Sequence, residues 1–240
     1  MILNTIIRRP GKKFALLIDP DKQDANSLSS TVYTANKAHV DLILVGGSLV
    51  SDTMDTAIKQ IKTETKIPVV LFPGSLMQLS RQADAILLLS LISGRNPDLL
   101  IGNHVLAAPY LKKSDLEIIS TGYILIGDEN TSAVGYISNT KPIPSKKTDL
   151  IVATAMAGEM IGNQVIYLEA GSGANNMINL KTISEVKKNI SIPLIVGGGI
   201  RYESEMFDAY KAGADIVVIG TAIESDVSSL YSFSKVVLNF

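Results

Sequence analysis

Eight short, unbroken apolar runs separated by longer amphipathic stretches constrain this chain more than any other feature. The runs are Phe14–Asp19 (FALLID), Leu42–Gly46 (LILVG), Val69–Phe72 (VVLF), Ala85–Leu89 (AILLL), Ile118–Ile126 (IISTGYILI), Val165–Glu169 (VIYLE), Leu194–Val196 (LIV) and Ile216–Ile219 (IVVI). Continuous rather than alternating hydrophobicity suits strands buried on both faces, as in a parallel sheet. Helical patterns lie between several runs, over Ser27–Ala38, Asp52–Thr65, Asn179–Asn189 and Tyr202–Ala212. Strand–helix alternation implies an α/β fold with a parallel sheet. Eight such units in 240 residues imply one closed (β/α)8 TIM barrel spanning residues 1–240, with its active site at the C-terminal strand ends. Only a short segment, Ser75–Ala83, separates the third and fourth runs. The third helix is therefore expected to be irregular or missing.

Composition narrows the function classes. Hydrophobic residues make up 46% and charged residues 19%, which provides a large core and argues against disorder. Formal net charge is -1, from 22 basic and 23 acidic residues. With no block of like charge either, no field gathers a nucleic acid. Cys is 0, which excludes a disulfide scaffold, a thiol nucleophile, an iron–sulfur centre and a cysteine zinc site. His39 and His104 are too few for a histidine metal cluster. No Ala-x-Ala cleavage site follows the N-terminal apolar start, and the longest apolar run, Ala85–Ile92, is too short to span a membrane. A cytoplasmic protein without a membrane span is expected. The one linker-like stretch, Ser138–Thr148 (SNTKPIPSKKT), reads as an exposed loop after strand five, because the alternation continues beyond it.

Nine of the 18 glycines fall at predicted strand ends: Gly46, Gly47, Gly74, Gly171, Gly173, Gly197, Gly198, Gly199 and Gly220. Amides of such loops can cradle a phosphate. In barrels the loops after strands seven and eight often do so, here Val196–Arg201 (VGGGIR) and Ile219–Ala222 (IGTA). The alternative is that these are tight turns serving barrel closure. Strand six ends in Tyr167-Leu168-Glu169-Ala170-Gly171-Ser172-Gly173. Its Glu169 can accept a proton from a hydroxyl while the Gly-Ser-Gly amides and the Ser172 hydroxyl bind phosphate. The competing role for Glu169 is a structural ion pair with lysine or arginine. Strand one ends in Asp19-Pro20-Asp21-Lys22. Asp19, with a hydroxyl from Ser48, suits a hard cation such as Mg²⁺, which keeps waters and bridges to substrate phosphates. Asp19 could instead cap helix one through a turn, although Asp21 is the better candidate for that cap. Arg95 and His104, after strand four, could each contact an anion, and His104 otherwise reads as a helix-face residue at an interface.

Taken together, Ile18–Lys22 (IDPDK), Val45–Leu49 (VGGSL), Leu71–Ser75 (LFPGS), Arg95–Val105 (RNPDLLIGNHV), Tyr167–Gly173 (YLEAGSG), Val196–Arg201 (VGGGIR) and Ala212–Thr221 (AGADIVVIGT) closely resemble the geranylgeranylglyceryl phosphate synthase family and its bacterial heptaprenylglyceryl phosphate relatives. The resemblance covers nearly the whole chain. It implies a modified barrel with an irregular third helix. It also implies Mg²⁺-dependent transfer of a prenyl group from geranylgeranyl diphosphate, or a longer prenyl diphosphate, to the C3 hydroxyl of sn-glycerol 1-phosphate. Carried over by motif, Asp19 and Ser48 bind Mg²⁺. Tyr167, Leu168, Glu169, Ala170, Gly171, Ser172, Gly173, Gly198, Gly199, Gly220 and Thr221 hold glycerol phosphate. The resemblance further implies a homo-oligomer, dimer or hexamer, with Leu99-Leu100-Ile101 beside His104 as a buried contact, and a lipid product delivered to a membrane. The residues alone leave open a phosphosugar isomerase or lyase, for which Lys22 is the obvious Schiff-base candidate, and a non-catalytic anion-binding barrel.

Overall fold

The structure, a computed structural model, describes residues 1–48, 50, 54–128 and 132–240. Eight parallel strands close a barrel in chain order: β1 (Lys13–Ile18), β2 (Leu42–Val45), β3 (Val69–Leu71), β4 (Ala85–Leu91), β5 (Glu117–Leu125), β6 (Val165–Glu169), β7 (Leu194–Gly197) and β8 (Ile216–Ile219). Every run anticipated from the sequence forms a strand, with ends displaced by at most two residues. Closure is parallel pairing of β1 with β8, Phe14 opposite Val217 and Leu16 opposite Ile219.

The helices are α1 (Ala25–Lys37), α2 (Met54–Glu64), α3 (Asn103–Lys112), α4 (Ala133–Ser138), α5 (Thr148–Met160), α6 (Leu180–Asn189), α7 (Glu203–Ala212), α8 (Thr221–Ser225) and α9 (Leu230–Val237). The helical pattern from Asp52 is borne out from Met54 onward; its first two positions, and Leu49 of the VGGSL segment, lie outside the described residues. Local chemistry sets the helix starts. The Asp24 carboxylate accepts from the Asn26 and Ser27 amides at the head of α1, and Asn179 accepts from Lys181 at the head of α6. Where a third helix would follow β3 there is a single 3₁₀ turn, Leu76–Gln78.

Strand side chains divide into two cores by the two-residue period. Ala15, Leu42, Leu44, Val70, Leu87, Ile195 and Val218 fill the barrel. Leu16, Ile43, Val45, Ile86, Val196 and Val217 face the helices. A π-helical turn, Leu3–Ile7, inserts Leu3 and Ile7 into the bottom of the barrel, tied there by Glu117, which accepts from the Ile2 and Leu3 amides. The loop expected over Ser138–Thr148 is present between α4 and α5, with Asn139, Lys141, Pro144, Lys146 and Lys147 exposed, but it is anchored at several points. Ser138 ends α4, Ser138 and Thr140 are buried, and Ile143 bridges to Ile126. The Ile143 amide donates to the Leu125 carbonyl at the end of β5 and Thr140 lies against Gly94, while Lys141, Lys146 and Lys147 face solvent.

Candidate active site

The C-terminal strand ends surround one cavity of about 660 Å³. Its polar side is built on β6 and the loops after β7 and β8. Alternation along β6 points Tyr167 and Glu169 inward. Glu169 is 5% exposed, and its Oε1 accepts from the Gly171 amide at 2.7 Å. Burial pushes its carboxyl from an ordinary 4.5 up to about 7, against the smaller opposing pull of the Gly171 amide and the Tyr167 hydroxyl. Among the described residues no lysine or arginine forms an ion pair with it, so the structural salt bridge is not what this carboxylate makes. The Tyr167 hydroxyl leans toward Glu169 but completes no hydrogen bond of ordinary geometry. A buried donor and a neutral-range carboxylate thus stand together, both directed at the cavity.

Gly198 shows why this corner demands glycine. Its φ is +81°, and a Cβ there would lie 2.3 Å from Glu169 Oε1 and 2.9 Å from the Ala170 and Gly171 nitrogens. The β7 loop therefore lies directly against the β6 loop. Ser172, Gly173, Gly199, Gly220 and Thr221 line the same side. Of the rest of the predicted segment, Tyr167 lines the cavity, Leu168 packs in the helix-facing core, and Ala170 and Gly171 lie behind the lining against Gly198.

Across the barrel, Asp19 stands at the end of β1 and Ser48 just beyond β2. Asp19 has two roles. Its Oδ1 accepts from the Asp21 amide at 3.3 Å, capping the turn Pro20–Lys22, and its carboxylate also lines the cavity. Asp21 is not the cap of helix one; Asp24 is. Burial holds the Asp19 carboxyl above its ordinary value, only partly offset by the Asp21 amide and Lys22. A Cβ at Gly47 would come within 2.8 Å of Asp19 Oδ2, so the β2 loop runs immediately beneath the carboxylate. Lys22 bonds both Glu224 oxygens at 3.0 Å and lies 3.8 Å from Asp19. It is committed to carboxylates at the rim, which is poor ground for a Schiff-base lysine.

The remaining wall is apolar: Leu76, Leu79, Leu88, Leu99, Ala107 and Ile137. Phe72, Tyr123 and Tyr167 form an aromatic cluster at the junction of the two sides, Phe72 stacked on Tyr167 with ring centroids 5.2 Å apart. Tyr123 was not singled out from the sequence, since an aromatic in a strand run reads as core. Arg95 is exposed and donates to the Gly94 carbonyl of its own loop. His104 differs from the interface reading: it lines the cavity, Nε2 is 3.2 Å from Ser90 Oγ, and burial lowers its pKa. Leu99 likewise faces the cavity, leaving Ile101 as the exposed member of its segment.

The PcrB family model matches residues 5–237. The geranylgeranylglyceryl phosphate synthase of Chitinophaga pinensis is 51% identical over 98% of this chain and 95% of its own. That of Flavobacterium johnsoniae is 52% identical over 90% of this chain and 89% of its own. The crystal structure of (S)-3-O-geranylgeranylglyceryl phosphate synthase from Thermoplasma acidophilum, in complex with its substrate sn-glycerol-1-phosphate, superposes with a TM-score of 0.95 at 32% identity, covering 100% of this chain and 99% of that one.

Proposed function

The chain belongs to the PcrB family, and from that premise we propose that it is a prenyltransferase joining a geranylgeranyl group to the C3 hydroxyl of sn-glycerol 1-phosphate, with release of diphosphate. One observation carries the reading at the level of chemistry. A buried glutamate with a pKa of about 7 stands where glycine-rich loops meet a long apolar cavity. A phosphate cradle, a base and a hydrocarbon channel are what this reaction needs in one place.

The phosphate of glycerol phosphate lies in the loops of Gly171–Gly173, Gly198, Gly199, Gly220 and Thr221, and the hydroxyl reaches Glu169. Fixing the acceptor by its phosphate makes attack effectively intramolecular. The C1–O bond of the prenyl diphosphate breaks with its electron pair leaving on diphosphate. The glycerol oxygen forms the new C–O bond, and its proton passes to Glu169. The Gly171 amide orients that carboxylate, and the leucine wall takes up the prenyl chain and excludes water.

Mg²⁺ fits the other side of the mouth. Asp19 and Ser48, which both line the cavity, offer two hard oxygens. So sparse a set suits an ion that keeps its waters and takes substrate phosphate oxygens. Bound there, it would neutralise charge on the leaving diphosphate. The test is incubation with sn-glycerol 1-phosphate, labelled geranylgeranyl diphosphate and Mg²⁺, followed by lipid extraction. Label in an acid-stable ether lipid is expected; label in free prenyl alcohol alone overturns the acceptor assignment.

A further inference from the structure

Gln78 is 2% exposed, a buried polar side chain. It sits on the 3₁₀ turn that replaces the third helix. Its Oε1 accepts from the Gly47 amide at 3.3 Å and the Gly74 amide at 3.1 Å, and its Nε2 donates to the Gly47 carbonyl at 2.7 Å. Two N–H groups and one C=O as partners leave a single orientation for the carboxamide.

These bonds begin where the barrel ladder stops. The last main-chain bonds at this corner are Gly46 N–H to the Ile18 carbonyl and Phe72 N–H to the Val45 carbonyl. Just beyond them, the Gly47 amide and carbonyl and the Gly74 amide are taken by Gln78. One side chain thus extends the sheet's hydrogen bonding into the loops after β2 and β3. A regular third helix would carry its residues outside the barrel; the single turn brings position 78 over the strand ends.

We infer that Gln78 is a positioning residue for the diphosphate end of the site, holding the Gly47 peptide and through it Ser48 and the surface beneath Asp19. The inference rests on the reading of Asp19 and Ser48 as that end. Buried amides left without partners are costly, and a loop without this clamp loses its single conformation. The hydrogen bonds of Gln78 run to Gly47 and Gly74, in the loops after β2 and β3, so its effect is expected on one substrate.

The experiment compares two calorimetric affinities: inorganic diphosphate with Mg²⁺, and sn-glycerol 1-phosphate without metal. Gln78→Met keeps length and removes all three bonds. Diphosphate is expected to bind about ten-fold more weakly or worse, and the KM for prenyl diphosphate to rise in step, while glycerol phosphate affinity stays within about two-fold. Unchanged diphosphate affinity, or equal losses for both ligands, would overturn the assignment. If Gln78→Met fails to fold, Gln78→Glu carries the same comparison, since it keeps the two amide contacts and loses the bond to the Gly47 carbonyl. Asp19→Asn, run in parallel, separates the two layers. If it binds Mg²⁺ and diphosphate as wild type does, the reading of the mouth falls, and the Gln78 role with it.

Discussion

Glu169 stands between two demands, and pH divides them. A base must be deprotonated to take the glycerol proton, yet burial favours the neutral form and sets the pKa at about 7. Activity per folded molecule should therefore rise through about pH 7. Stability runs the other way. The folded pKa lies above the unfolded one, so this group stabilises the protein fully below about pH 4.5 and loses that contribution as pH rises through about 7. The difference is about 3 kcal/mol. Denaturant titrations of Glu169→Gln should show a flatter decline over that window, and an unchanged pH slope would remove Glu169 as its source. In single turnover at saturating glycerol phosphate the same variant should lose about 10²- to 10⁴-fold in rate. Equal rates would leave Glu169 a binding group. Asp19→Asn should abolish most transfer while metal-free glycerol phosphate binding persists, because the two groups stand on opposite sides of the mouth; full activity at limiting Mg²⁺ would refute a metal role.

Strands were easier to read than the segments that specialise them. Continuous Val, Ile and Leu runs leave no other fate in a parallel barrel, so β1 to β8 follow from local composition. The single turn at Leu76–Gln78 was visible as a shortage of residues between β3 and β4. Its function was not, because Gln78 earns its place through Gly47, thirty-one positions away. The short α4 gave no periodic signal, and the buried Ser138 and Thr140 resembled linker residues until the loop after β4 was there to pack on. Outside the β1–β8 seam, α9 fits between α1 and α7 and packs on β1. Phe233 meets Phe14 there, centroids 6.2 Å apart, both 1% exposed. Phe233→Ala should cost about 3–5 kcal/mol in urea unfolding. Glycerol phosphate affinity of the folded fraction should not change, since this contact lies on the helix side of the sheet. A loss under about 1 kcal/mol would mean that this contact adds little to the stability of the barrel.

At the scale of the whole molecule, the segment from Ile101 into α3 leaves an unfinished surface. Leu99 and His104 turn into the cavity, yet Ile101, Val105 and Leu106 are 60%, 63% and 70% exposed. The expected contact was Leu99-Leu100-Ile101 beside His104; the structure moves the apolar stripe one turn along and outward. Three large aliphatic side chains together on one exposed helix face suit burial against another chain better than contact with water. We expect a homo-oligomer joined through this face. It would also brace the cavity, because the opposite side of the same helix supplies His104 and Ala107 to its wall. Val105→Glu places a charge in the middle of the stripe, where burial without a partner costs several kcal/mol. Light scattering at micromolar concentration should show an oligomer for wild type and a smaller species for the variant. Glycerol phosphate affinity should be retained, since that cradle lies on β6 to β8. A wild-type monomer would refute oligomerisation, and an oligomer unaffected by Val105→Glu would place the interface elsewhere.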